Sequence, residues 1–193
     1  RRIRVLDCTI RDGGICNDWQ FSKDQVRRTF LSLEEAGIDY MEIGYLTKDG
    51  LFDPEKVGPW KFCKEEDLRE VLSDTSMRIS AMVDIGRIDL DSMRPASESA
   101  IDVIRIATYA HQMDDALAIL ERSQALGYET FMNVMAVSTL DPSEVDTFLQ
   151  RLAPSGVDNV ALVDSFGALF PYHVRYLIRK YQNYLGEGIR VGV

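Results

Sequence analysis

One junction recurs along the chain and limits what it can fold into. Gly37-Ile38-Asp39, Gly127-Tyr128-Glu129, Gly156-Val157-Asp158 and Gly188-Ile189-Arg190 each place a helix-stopping glycine directly before an apolar strand start. Between these junctions helical and strand patterns alternate with a period of roughly 30 residues, the rhythm of repeated βα units. No linker or low-complexity tract interrupts the alternation, and 193 residues suffice for one domain with a real core.

The local signals fill in the units. Ser22 is placed to cap a first helix, with Gln25 three positions on as in a capping box. Val26, Phe30 and Leu33 then give an apolar face at helical spacing. Further helices are expected over 65–72, 111–126, 142–152 and 171–185, with a short or irregular one over 89–99. In the 111–126 helix, Ala116, Ile119, Leu120 and Ala125 should face inward. Asp141 followed by Pro142 reads as a helix start. Strands are expected over 3–10, 38–45, 78–85, 101–109, 129–137 and 157–165, and a seventh begins at 188–193. Residues 46–64 exceed a plain barrel turn, and two readings stay open, a lid and a surface excursion.

This pattern predicts an α/β fold of the (β/α)8 TIM-barrel type. Such a barrel takes about 250 residues. The chain is therefore expected to be one catalytic barrel domain over 1–193, with about six βα units and the start of strand seven. A doubly wound open sheet is the rival, but its Gly-rich phosphate loop is missing after the first strand. An unclosed barrel would expose strand edges. The chain is accordingly expected to be a fragment of a longer protein, prone to associate with further copies and inactive by itself.

Composition narrows the function classes. The formal net charge of −9 argues against nucleic-acid binding, which uses a basic face. No apolar run approaches the ~18 residues of a membrane span, and no signal peptide is visible. Cys8, Cys16 and Cys63 lack CxxC spacing, which fits a reduced, cytoplasmic protein. Cys8 reads as a small core residue. A small anionic partner would need a local cation, and Arg11 is a candidate. The run 3–10 is apolar and ends in Arg11-Asp12-Gly13-Gly14, so a buried strand should deliver a cation and a carboxylate to the rim where barrel chemistry sits. The two glycines should let the backbone turn sharply there.

The stretch Asp7-x-Thr9-Ile10-Arg11-Asp12-Gly13 resembles the D-x-T-L-R-D-G signature of the metal-dependent TIM-barrel lyases and synthases. That group includes hydroxymethylglutaryl-CoA lyase, isopropylmalate synthase and 4-hydroxy-2-oxovalerate aldolase. The double glycine followed by Asn17-Asp18-Trp19-x-Phe21 is most similar to the aldolase-like branch. The resemblance implies that Asp12 binds a divalent metal, Mg²⁺ or Mn²⁺, and that Arg11 holds a carboxylate or a developing enolate. Glu42, in Tyr40-Met41-Glu42-Ile43-Gly44, matches the Glu that braces the Arg and the substrate. Asp164-Ser165-Phe166-Gly167 with Pro171 matches a D-[ST]-x-G-x₃-P element, which gives Ser165 a substrate contact and Asp164 an architectural role.

The residues themselves add Asn133 and Ser138, which bracket the end of strand five and could bind substrate. His111 could act as a base, and His173 falls within the last helix. Two features depart from the family pattern. Its H-x-H metal pair belongs just beyond Val191-Gly192-Val193. Gly14-Ile15-Cys16 stands where the aldolase branch carries a histidine, so the base is unassigned. The implied activity is carbon–carbon cleavage of a 4-hydroxy-2-oxo acid to a 2-oxo acid and an aldehyde. A Claisen-type acyl-CoA synthase is the alternative, although its Gln or Glu soon after R-D-G is missing. A non-catalytic barrel is the third.

Overall fold

The computed structural model describes residues 2–193. They form two compact units. One contains the chain through Ile104 together with Leu126–Tyr128, and the other Arg105–Ala125 with Glu129–Val193.

In the first unit, strands β1 (Leu6–Asp7), β2 (Tyr40–Tyr45) and β3 (Arg78–Asp84) alternate with helices α1 (Thr9–Asn17), α2 (Lys23–Glu35) and α3 (Glu65–Val71). The strands are parallel neighbours in chain order, with Leu6 opposite Tyr40 and Met41 opposite Ile79. Strand β2 is buried along its whole length, as a central parallel strand should be. The capping box forms as expected: Gln25 N donates to Ser22 Oγ at 3.2 Å, and Ser22 N donates to Gln25 Oε1 at 2.8 Å. Strand β4 (Val103–Thr108) begins in this unit and ends in the second.

The second unit carries α4 (Met113–Ala125), β5 (Glu129–Val134), α5 (Pro142–Leu152), β6 (Asn159–Leu162), α6 (Pro171–Leu185) and β7 (Arg190–Gly192). Its strands pair in parallel, β5 with β6 and β6 with β7. Parallel strands, consecutive in sequence and joined by helices, make this an α/β fold of the TIM-barrel type. Seven strands lie among the described residues. None of their helices is long and apolar enough to cross a membrane.

The recurring junction has a physical role that its spacing only hinted at. At two of these junctions, and again at Asp102, a carboxylate at the start of one strand accepts the backbone N–H at the start of the strand before it. Val5 N donates to Asp39 Oδ2 at 2.9 Å, Ile79 N to Asp102 Oδ2 at 2.8 Å, and Thr130 N to Asp158 Oδ2 at 2.9 Å. Each clamp satisfies a donor at the beginning of a ladder and fixes the register there. Thr130 is fully buried, and its hydroxyl also donates to Asp158 Oδ2. Asp158→Ala leaves both donors without that acceptor. The expected cost is about 1–3 kcal/mol, read as a lower urea midpoint at unchanged m-value.

Several expectations need correction. The first strand covers Leu6–Asp7 alone, and Ile3 and Val5 are exposed. Thr9–Asn17 is helical, so Arg11 and Asp12 ride on a helix rather than ending a strand. Cys8 is half-buried at the N-cap of that helix. Residues 89–99 form no α-helix, only a 3-10 turn at Ala96–Glu98. Leu33 is half-buried, and Ala125 is exposed at the end of α4.

The long segment after β2 is neither wholly surface nor wholly lid. Asp53 to Lys56 is an exposed turn, whereas Trp60, Lys61 and Cys63 are buried. Trp60 Nε1 donates to the Phe21 carbonyl at 2.9 Å. Two glycines admit this return. A Cβ on Gly58 would meet the Trp19 carbonyl oxygen at 1.8 Å, and one on Gly44 would meet the Trp60 carbonyl oxygen at 2.0 Å.

Candidate active site

The motif read as a strand end is a strand-to-helix switch. Thr9 N and Thr9 Oγ1 donate to the two carboxylate oxygens of Asp7, each at 2.9 Å. This local side-chain bonding ends the strand and starts α1. Arg11 and Asp12 therefore project from the first turn of a helix. The chain leaves that helix through two left-handed residues, Asp18 (φ 53°) and Trp19 (φ 57°). Such backbone is costly away from glycine. Here it folds the Trp19 ring back over Gly14, where a Cβ would lie 2.0 Å from the indole. Trp19 Nε1 then donates to the Arg11 carbonyl at 2.8 Å.

Arg11 is shared between two carboxylates. Its Nε donates to Glu42 Oε1 at 2.5 Å and its Nη1 to Asp12 Oδ1 at 2.8 Å. The side chains run from dry to wet: Glu42 is 0% exposed, Arg11 14% and Asp12 63%. Burial alone would lower the basicity of Arg11, but the charge and hydrogen bond of Glu42 raise it above the ordinary arginine value. Arg11 is thus a fixed cation held by its fork. Glu42 can face it because β2 shifts register between Glu42, opposite Ser80, and Gly44, opposite Ala81. Bulges of this kind re-aim side chains.

The second unit holds the other sequence candidates, in two separate bonding groups. Asn133 is buried on β5, and its Oδ1 accepts from Arg105 Nη2 at 3.4 Å. Ser165 Oγ accepts the N–H of Ala136 at 2.8 Å, and Ala136 is left-handed at φ 56°. Asp164 accepts the N–H groups of Leu169 (2.8 Å) and Ala168 (3.1 Å). The bond from Leu169, foremost, holds its carboxyl below the usual aspartate value. Ser138 lies in the 3-10 turn Val137–Thr139, its Oγ buried with no hydrogen bond of good geometry. His111 is exposed and stacks on Tyr109, and His173 Nδ1 accepts the Phe170 N–H at the start of α6. The second histidine is thus a helix cap.

Sequence reasoning missed Lys61. It is only 3% exposed, and its ammonium lies 4.0 Å from the Trp19 ring centre, 3.8 Å from that of Tyr45 and 5.0 Å from that of Phe52. Only its place after Gly58-Pro59-Trp60, a tight turn with a bulky apolar residue, could have flagged it. Cys63 beside it is no nucleophile, because burial pushes its thiol far up.

Among the described residues no three His, Cys, Asp or Glu side chains stand together as a metal centre. Asp12 alone, exposed and engaged at Oδ1 only by Arg11, fits as one hard oxygen ligand of a water-rich divalent shell. The profile of the HMGL-like family matches residues 2–192. The chain belongs to the HMGL-like family.

Within that family the chain is 30% identical to a 4-hydroxy-2-oxovalerate aldolase of Geobacillus genomosp. 3, over 89% of this chain and 51% of that protein. It is 28% identical to an oxaloacetate decarboxylase of Mycobacterium tuberculosis, over 89% of this chain and 50% of that one. This HMGL-like chain thus spans about half the length of the curated relatives it matches. Its fold resembles the N-terminal domain of a Bacteroides vulgatus protein described as an aldolase. The TM-score is 0.81 at 28% identity, over 98% of this chain and 63% of that one.

Proposed function

We propose that this HMGL-like chain carries the arginine and the carboxylate metal ligand of a divalent-metal-dependent, cytoplasmic carbon–carbon lyase. Its substrate is a small 4-hydroxy-2-oxo acid, cleaved to a 2-oxo acid and an aldehyde. The observation that carries the reading is the Glu42–Arg11–Asp12 array, a buried carboxylate fixing a cation beside an exposed carboxylate.

Arg11 does the electrostatic work. A base removes the proton from the 4-hydroxyl, whose oxygen forms the aldehyde C=O as the C3–C4 bond breaks. The electron pair of that bond passes to C3 and the 2-oxo oxygen as an enolate, and C3 then takes a proton to give the 2-oxo acid. Arg11 would offset that developing charge, and its bond to Glu42 would keep it from swinging away. Asp12 would hold Mg²⁺ or Mn²⁺, which supplies Lewis-acid polarisation of the 2-oxo group when bound.

Cleavage assays on the full-length protein with Mn²⁺ test the reading. A 4-hydroxy-2-oxo acid should release aldehyde and 2-oxo acid. Turnover of oxaloacetate alone would assign the decarboxylase chemistry named for one relative. Condensation of acetyl-CoA with a 2-oxo acid would assign a synthase. Asp12→Asn separates the metal role from folding. Because Asp12 is mostly exposed, the variant should melt with the wild type yet lose Mn²⁺ binding in a calorimetric titration and, with it, cleavage. Unchanged Mn²⁺ affinity would remove Asp12 as a ligand.

A further inference from the structure

Lys61 is a buried cation that the proposed chemistry leaves unused. No carboxylate pairs with its ammonium among the described residues. Three aromatic faces, Trp19, Tyr45 and Phe52, surround it instead. A desolvated ammonium over aromatic rings is held by the negative ring faces. Two of those rings touch the Arg11 array. Trp19 donates its Nε1–H to the Arg11 carbonyl and stands edge-on to Tyr45, with ring centres 5.4 Å apart. Tyr45 in turn lies near enough to Arg11 for the guanidinium to work against the burial that raises its phenol. A single cation thus clamps the two side chains that back the arginine.

We propose that Lys61 is a positioning residue of the lyase site, its ammonium holding Trp19 and Tyr45 in the arrangement that seats Arg11. This rests on the lyase reading above. The clamp works at full strength only while Lys61 is protonated, because a neutral amine loses the cation–π attraction to the ring faces. Burial lowers its basicity most, Asp84 at the end of β3 partly restores it, and Arg87 and Arg11 lower it again. Tyr45 is the titratable wall of the cage, and burial raises its own phenol. Lys61 therefore gives up its proton below the usual lysine range. The clamp is intact at lower pH and is lost as pH rises through that point.

The test compares full-length wild type, Lys61→Arg and Lys61→Met, each with Mn²⁺ and a 4-hydroxy-2-oxo acid across pH. Misplaced catalytic groups can cost about a hundredfold, so Lys61→Met should lose roughly that in kcat with KM little changed. Lys61→Arg, which keeps a cation that does not titrate, should retain activity and shift the alkaline limb of kcat to higher pH. Tryptophan emission supplies a second readout that needs no substrate. Wild type should show an alkaline step that both variants lack. Wild-type kcat in Lys61→Met, or an alkaline limb unmoved in Lys61→Arg, overturns the proposal. If Lys61→Met fails to fold, the Lys61→Arg profile still decides. If wild type cleaves no such acid, the lyase reading fails, and the emission titration alone decides whether the cage exists: an identical step in wild type and Lys61→Arg refutes it.

Discussion

Arg11→Ala in the full-length protein should cut carbon–carbon cleavage by about 10²–10³-fold in kcat, the usual effect of losing one donor aimed at developing charge. It should also destabilise the fold. Glu42 is fully buried and Arg11 supplies its recorded counter-charge at 2.5 Å. Removing one member of a buried ion pair typically costs about 3–5 kcal/mol. The two effects can be separated. Arg11→Ala combined with Glu42→Gln takes the charge out of the interior as well, so the melting temperature should largely recover while activity does not. Arg11→Lys keeps the charge but loses the fork that spans Glu42 and Asp12, and should fall between. Normal cleavage by Arg11→Ala would remove this array from the chemistry, whereas absence of cleavage in the wild type, with Arg11→Ala leaving the biological function intact, would make a non-catalytic barrel the better account.

Gly44→Ala should be one of the most damaging single-methyl changes in the first unit. The added Cβ would meet the Trp60 carbonyl oxygen at 2.0 Å, the Cys63 sulfur at 2.7 Å and the Trp60 carbonyl carbon at 2.9 Å. Two of these are backbone atoms, and Trp60 is itself fully buried, so no flexible side chain can yield. Overpacking usually costs about 1–3 kcal/mol, and this site belongs at or above the upper end. Either the Pro59–Lys61 turn or β2 must move, which carries Lys61 or Glu42 with it. Thermal melts should show the loss, and any folded variant should show altered tryptophan emission. A variant that melts like wild type would mean that the loop return is looser than the packing implies.

Local and repeating signals were legible in the sequence. Gly37 and Gly156 close helices in left-handed backbone, at φ 70° and 74°, just before the strands that the pattern required. Ser22 builds the capping box that its spacing announced, and Asp141 caps the helix that its place before Pro142 announced. These features depend on residues three or four apart, and the chain alone fixes them. The R-D-G motif was equally visible, and so was its link to Glu42, an ionised group in an apolar strand that needed a buried partner.

What the chain alone could not decide depends on contacts far apart in sequence. Apolar residues 3–10 suit a strand or a helix equally, because a short apolar run carries no clear period. The Asp7 carboxylate bonding Thr9, with only two residues paired to β2, settled it for a helix from Thr9 onward. The glycines of the motif were read as turn residues. Gly14 instead makes room for an indole that returns only after the left-handed turn at Asp18 and Trp19. No local pattern marks Lys61. Its cage draws Trp19, Tyr45 and Phe52 from three separate segments, and no spacing rule brings them together. Periodicity and capping report free energies of a few residues. Burial of a charge is set by the whole surrounding fold, and only the tertiary structure could place it.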